Sequence, residues 1–373
     1  MKPLQTRKPE TGNPEPGTRN SELGTRNPMN TAHHRWRTVV DFVRANDVSD
    51  VCLYAGSVTA RLEGRIVRLS EEGALSTADV MEMIGELLAS QRAIATEIGN
   101  AMGAVDFTTE LFAKRFRVNI ARARGELFAS MRPLPEQAPE LGQVGLSAQL
   151  VRLVTGLNSG LVLITGPAGS GKTTTIAALI QAINRVRQAK IITIEDPIEF
   201  LFQPDQSEVI QREIGSDTVS YEQGLREALR QNPDVIVVGE IRDSETAIVA
   251  LQAAETGHLV FGSLHASSVV ESIGRYLLLG SIERAAETRY VLCKVFRVIT
   301  NQRLLRKRGG GRLAVREVCI HAANLEAVIQ RGNDQELNNY MLAGRESGMI
   351  DFQTALKSVQ GIVDPADYQL FGK

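Results

Sequence analysis

The chain has 373 residues, 43% of them hydrophobic and 23% charged, with a formal net charge of −1. That length suits two domains of an ordinary globular protein, and the near-neutral charge gives no electrostatic case for nucleic acid or an anionic membrane surface. Three scattered cysteines, Cys52, Cys293 and Cys319, form no zinc knot and fit a reducing compartment, and no apolar run is long enough to span a bilayer.

Residues 1–28 are low in complexity, with GTRN at Gly17–Asn20 and again at Gly24–Asn27, and are expected to be a disordered extension. Met29 opens an amphipathic helical pattern and is expected to be the natural start. No apolar core for a signal peptide is present, so a cytoplasmic protein is expected, one that meets a membrane only through partners.

Residues 29–135 read as a small α+β domain. A helix over Trp36–Ala45 leads to a strand around SDVCLYAG and a pair in TARLEGRIVRL, turning near Gly64. TADVMEMIGELLAS has helical spacing, with Thr77 as the expected N-cap. DFTTEL and KRFRVNIARARGELFASMRPLP read as one meander. Pro133, Pro135 and Pro139 mark a linker, placed at 136–146. From 147 to 373, apolar strands (LVLIT, KIITIED, DVIVVGE, HLVFGSL) alternate with helices, which predicts a parallel α/β sheet. The final hundred or so residues read as mainly helical.

GLVLITGPAGSGKTTT carries the pattern G-x-x-x-x-G-K-T between a strand and a helix. Gly166, Pro167, Ala168, Gly169, Ser170 and Gly171 would turn backbone N–H groups toward phosphate oxygens. The helix N-terminus at Thr173 and Thr174 adds partial positive charge. Lys172 would reach the β- and γ-phosphates, and the Thr173 hydroxyl would ligate Mg²⁺. Two further strands end in acids, Glu195–Asp196 and Glu240. Ligands of open α/β sheets bind at the carboxyl ends of strands. One acid would therefore help to hold Mg²⁺ and the other would orient or deprotonate the attacking water. By analogy with RecA-like ATPases, Glu195 is the base and Glu240 the magnesium-side residue, though the roles could be exchanged. Helix capping or arginine pairing is the bland alternative for either acid.

His258 and His265 bracket LVFGSL. Their odd separation along a strand points them to opposite faces, which excludes one shared metal ion. Both are assigned to the nucleotide site, where an imidazole could meet a γ-phosphate or an acid. Simple satisfaction by backbone carbonyls is the competing reading.

With these residues in hand, the chain resembles the secretion-type ATPases of type II secretion and type IV pili, in particular their PilT/PilU retraction branch. The motifs are GPAGSGKTTT, TIEDPIEF with QREIG, LRQNPDVIVVGEIRD and AAETGHLVFGSLHAS, flanked by RFRVN and NQRLL. The resemblance covers about residues 36–357. It implies a PAS-like N-terminal domain followed by a RecA-like P-loop ATPase domain with a helical C-terminal region. It also implies a homohexamer that hydrolyses ATP with Mg²⁺ to drive pilus retraction, working on an inner-membrane platform protein and beside a paralogous motor. The expected place is the inner face of the bacterial inner membrane. Arg117, Arg132 and, more weakly, Arg124 match arginines that contact phosphates in the family; a solvated strand face is the alternative. Absence of a four-cysteine motif favours retraction over assembly. NLEAVIQRGN, LHASSV, Gly274 before Arg275, and GMIDF depart from the branch's usual patterns, which keeps an accessory motor or a type IVB secretion or conjugation role as the alternative.

Overall fold

The computed structural model describes residues 28–62, 64–69, 75–89, 104–280 and 284–372. The expected extension lies outside these residues except for Pro28, where the first helix begins. The helices are α1 (Pro28–Ala45), α2 (Thr77–Ala89), α3 (Leu141–Val144), α4 (Ala148–Thr155), α5 (Lys172–Val186), α6 (Tyr221–Ala228), α7 (Ser244–Glu255), α8 (Val269–Leu279) and α9 (Ala285–Val295). They continue with α10 (Ala323–Arg331), α11 (Asp334–Ala343), α12 (Phe352–Ser358) and α13 (Pro365–Phe371).

The first sheet is antiparallel in the order β3-β2-β1-β6-β5-β4. Its strands are β1 (Val48–Tyr54), β2 (Ser57–Leu62), β3 (Arg65–Arg68), β4 (Val105–Leu111), β5 (Lys114–Ala123) and β6 (Glu126–Pro133). Apolar residues alternate along β5, so Phe116, Val118 and Ile120 are buried while Arg117 and Asn119 between them face the other way. α1 and α2 cover the buried face through Trp36, Val40, Met83 and Leu87. Truncating Trp36, which is 1% exposed, would cost about 3–5 kcal/mol. Ser76, not Thr77, caps α2. The Ser76 hydroxyl accepts from the Asp79 amide at 3.2 Å, and the Asp79 carboxylate accepts from the Ser76 amide at 2.7 Å.

The expected linker is not extended throughout. It contains α3, and Glu140 holds Arg185 of α5 in a bidentate pair at 2.7 and 2.6 Å. The second sheet has the order β13-β12-β7-β11-β10-β8-β9. It comprises β7 (Gly160–Thr165), β8 (Lys190–Glu195), β9 (Glu208–Glu213), β10 (Val235–Val238), β11 (Leu259–Leu264), β12 (Phe296–Arg306) and β13 (Arg312–Ile320). β7, β10 and β11 are buried along their whole length because helices cover both faces.

The C-terminal region corrects the mainly helical expectation. β12 and β13 form a long antiparallel hairpin that turns at Gly309–Gly311, and β12 lies parallel to β7. VITNQRLL reads as helix or strand by periodicity alone; burial against β7 makes it a strand. The four strands marked from sequence are β7, β8, β10 and β11.

Candidate functional site

β7, β11, β10 and β8 are neighbours in that order. Each is followed at its carboxyl end by one candidate group: the glycine loop, His265, Glu240 and Glu195. The ends are tied together. Gly239 N–H donates to Ile194 O at 2.8 Å, Ile241 N–H to Ser263 O at 2.9 Å, and Gly166 N–H to Leu264 O at 3.3 Å.

The loop from 166 to 171 needs its glycines. Gly166 has φ +148°, and a Cβ there would lie 2.4 Å from Gln302 O and 2.5 Å from Ser170 Oγ. Gly171 stands at φ +84° as the N-cap of α5. Pro167, Ala168 and Gly169 are exposed, and Thr173 and Thr174 follow on the first turn of α5. Lys172 Nζ donates to the carbonyls of Gly166 at 3.1 Å and Pro167 at 3.2 Å. Burial pushes its ammonium below the usual range, and Glu240 opposes that. Ser170 Oγ is buried and has no protein partner. A cradle that a Cβ would fill, an orphaned hydroxyl and a helix N-terminus together fit a phosphate group.

Behind the loop lies a network to which no sequence motif gives a role. Gln302 Nε2 donates to Ser170 O at 2.7 Å. Gln302 Oε1 accepts from Thr175 Oγ1 at 3.0 Å and Arg316 Nε at 2.9 Å. Arg316 Nη2 reaches Thr175 Oγ1 at 3.1 Å. Burial, unrelieved by a carboxylate, pushes the Arg316 guanidinium down to about 10. NQRLL contains Gln302, but only the fold of the hairpin shows what it holds. Asn301, beside it, donates to Thr165 Oγ1 and to Ala266 O, both at 2.9 Å, and so fixes the residue after His265.

Glu240 accepts from His265 Nε2 at 2.9 Å and from Arg242 Nε at 2.8 Å. Arg242 also reaches Asp196 at 3.3 Å and lies over the Tyr221 ring. Burial and the Lys172 ammonium hold the His265 ring below its usual range, against the pull of Glu240. A neutral ring with its proton on Nε2 satisfies this geometry.

Glu195, 8% exposed, ends β8. Its Oε1 accepts from Thr193 Oγ1 at 2.6 Å and Gln211 Nε2 at 3.0 Å. Burial pushes its carboxyl above the usual carboxylate range, a shift that the two hydrogen bonds oppose. The cause is visible in the small cavity it faces, of about 30 Å³, lined by Thr173, Ile176, Phe200, Phe202, Val237 and Gly239. Thr173 and Glu195 thus share one apolar-walled pocket with room for about one water.

Other expected residues fall elsewhere. His258 precedes β11 and lies at the amino edge of the sheet, about 20 Å of strand away from His265. Its Nδ1 meets Ala253 O at 3.1 Å, which ties the end of α7 to the sheet, so it is not a site residue in this fold. Arg117 and Arg132 lie directly opposite each other on β5 and β6. They pair with Asp106 at 3.7 Å and Asp50 at 3.5 Å, and both act on the Glu199 carboxylate. Arg124 has φ +53° in the tight turn at the far tip of the same hairpin. A fourth arginine, Arg115, does reach the second unit: its Nη2 donates to Ile198 O at 2.6 Å.

Among the described residues, no group of three or more His, Cys, Asp or Glu could hold a metal. The donors present are oxygens, Thr173 Oγ1 and the Glu240 carboxylate. That fits a magnesium ion held mainly by phosphates and water, with few protein ligands. No described helix is long and apolar enough to cross a membrane.

The family model described as "Type II/IV secretion system protein" matches residues 113–368. The chain is 38% identical over 255 residues to the type IV pilus retraction ATPase PilT of Pseudomonas aeruginosa, which spans 68% of this chain and 74% of that protein. It is 36% identical over 311 residues to the uncharacterized protein YggR of Escherichia coli K12, covering 83% and 93%. It is also similar to a crystal structure of the pilus retraction motor PilT with bound ADP. The TM-score is 0.80 at 36% identity, over 89% of this chain and 95% of that one.

Proposed function

The chain belongs to the type II/IV secretion system protein family, and from that premise we propose that it is a hexameric motor ATPase that drives type IV pilus retraction. The observation that carries the reading is the convergence of Lys172, Thr173, Glu195, Glu240 and His265 on one edge of one sheet. In the reaction, water attacks the γ-phosphorus and passes its proton to Glu195 as the bond to the β-phosphate oxygen breaks and ADP leaves. Burial favours this role, because a carboxyl raised above its usual range is a stronger base toward water. Lys172 leaves the loop carbonyls for the β- and γ-phosphates. Magnesium, arriving with the nucleotide, would be held by Thr173 and Glu240 and would neutralise phosphate charge. His265 and Arg242 fix the Glu240 carboxylate, and His265 is placed to report on the γ-phosphate. Arg117 and Arg132, paired with Asp106 and Asp50 away from the strand ends of their own chain, are assigned to the nucleotide phosphates of a neighbouring subunit in the hexamer. Arg124 is not.

We place residues 29–135 and 147–373 as the two moving units of each subunit, joined by the 136–146 linker. A platform protein at the inner membrane would take up the work. Deleting the gene in its host and counting surface pili tests this reading. Excess pili without twitching are expected. Bald cells would make it an assembly motor, and unchanged pili would assign it an accessory or secretion role.

A further inference from the structure

Arg115 stands on β5, in the outward row that also holds Arg117, yet it is half-buried because the 196–200 segment folds over it. Its Nη2 donates to Ile198 O at 2.6 Å and its Nη1 to Glu199 O at 3.4 Å. Glu213 braces the same turn from β9: it accepts from the Ile198 amide at 3.0 Å and from Thr108 Oγ1 of β4 at 2.8 Å. The segment that leaves Glu195 is therefore gripped on one side by its own sheet and on the other by the N-terminal sheet. Lysine could not replace this grip in full, because two carbonyls on successive residues suit a fork of N–H donors.

We propose that Arg115 is a positioning residue that couples the N-terminal sheet to the base of the same protomer. It locks the 196–200 turn by its carbonyls and brings a cation to Glu195 only when the two sheets are closed on each other. The inference rests on the reading of Glu195 as the base. Separation of the sheets would then remove both the grip and the cation, so the carboxylate would be held in place and ionised in the closed arrangement, and loosened and more readily protonated in the open one. The groups facing Glu195 are Thr193 of its own strand, Gln211 of β9, Glu199 in the turn, Tyr221 of α6 and Arg115 of β5. Among these Arg115 is the cation, and it is the group that belongs to the other sheet. Glu213 and Glu110 in turn face Arg115 and hold it charged against its burial.

The test is the pH profile of kcat for ATP hydrolysis by the full chain, with KM recorded alongside. Arg115→Gln should move the acid limb upward by roughly half a pH unit or more, with KM for ATP little changed. Arg115→Lys keeps the charge and should leave the limb near the parent's position while lowering kcat through the lost fork. A drop in kcat with an unmoved acid limb in Arg115→Gln would overturn the proposal and leave only a structural latch. Should Arg115→Gln fail to fold, Arg115→Lys decides alone: an unchanged kcat would overturn the proposal. Glu195→Gln separates the two readings. If that variant keeps its turnover, the base assignment has failed. If it is inactive and the limb in Arg115→Gln stays put, the failure belongs to Arg115.

Discussion

In the seven-stranded sheet, β7, β10 and β11 are buried on both faces, so polar groups gather past their carboxyl ends. In the six-stranded sheet, β5 alternates, so Arg115, Arg117 and Asn119 spread over the face opposite Phe116, Val118 and Ile120. An end is a point, and a motif can mark it in the sequence. A face is a surface, and which of its residues meet anything depends on what folds over it. The difference teaches where sequence motifs place function and where only packing does.

Breaking the strand-end site should have the largest effects. Lys172→Ala is expected to lower phosphate release by roughly 10³-fold or more, measured at saturating ATP. Gly166→Ala should abolish nucleotide binding in a direct titration, since its Cβ would enter the space of Gln302 O and Ser170 Oγ. The two ends of one strand give a sharper contrast. His265→Ala should reduce turnover by about 10–100-fold. His258→Ala should leave it within about twofold and cost about 1 kcal/mol of stability, read by denaturant unfolding. Equal losses of turnover would place His258 at a site this fold does not give it.

A smaller effect sits behind the strand ends. Glu317, buried, accepts from the Val269 amide at the start of α8, and burial pushes its carboxyl up to about 7. A value above the usual 4.5 means that its contribution to stability is whole below that pH and is lost as pH rises through about 7. Glu317→Gln should therefore raise the melting temperature at pH 8 by about 2–4 °C and change it little at pH 5. An equal shift at both pH values would contradict this.

The nucleotide edge was legible in the sequence because each strand there is an apolar run that stops at a glycine, an acid or a histidine. What the pattern could not rank was the two ends of β11: both histidines flank the same run, and only chain direction within the sheet separates them. Gln302 and Arg316 were hidden because the final hundred or so residues read as mainly helical, and the hairpin exists through its pairing with β7. The arginines of β5 and β6 share one chemistry and one pattern. Register places Arg117 opposite Arg132, and the fold over of residues 196–200 selects Arg115.

The most direct measurement is a single-turnover assay with Glu195→Gln and Glu240→Gln beside the parent chain, with ATP binding measured separately. The account predicts that Glu195→Gln binds ATP normally and releases phosphate orders of magnitude more slowly, while Glu240→Gln also needs more magnesium for the same rate. Near-parental release from Glu195→Gln, or a magnesium demand that appears in it and not in Glu240→Gln, would contradict the assignment of the two strand-end carboxylates.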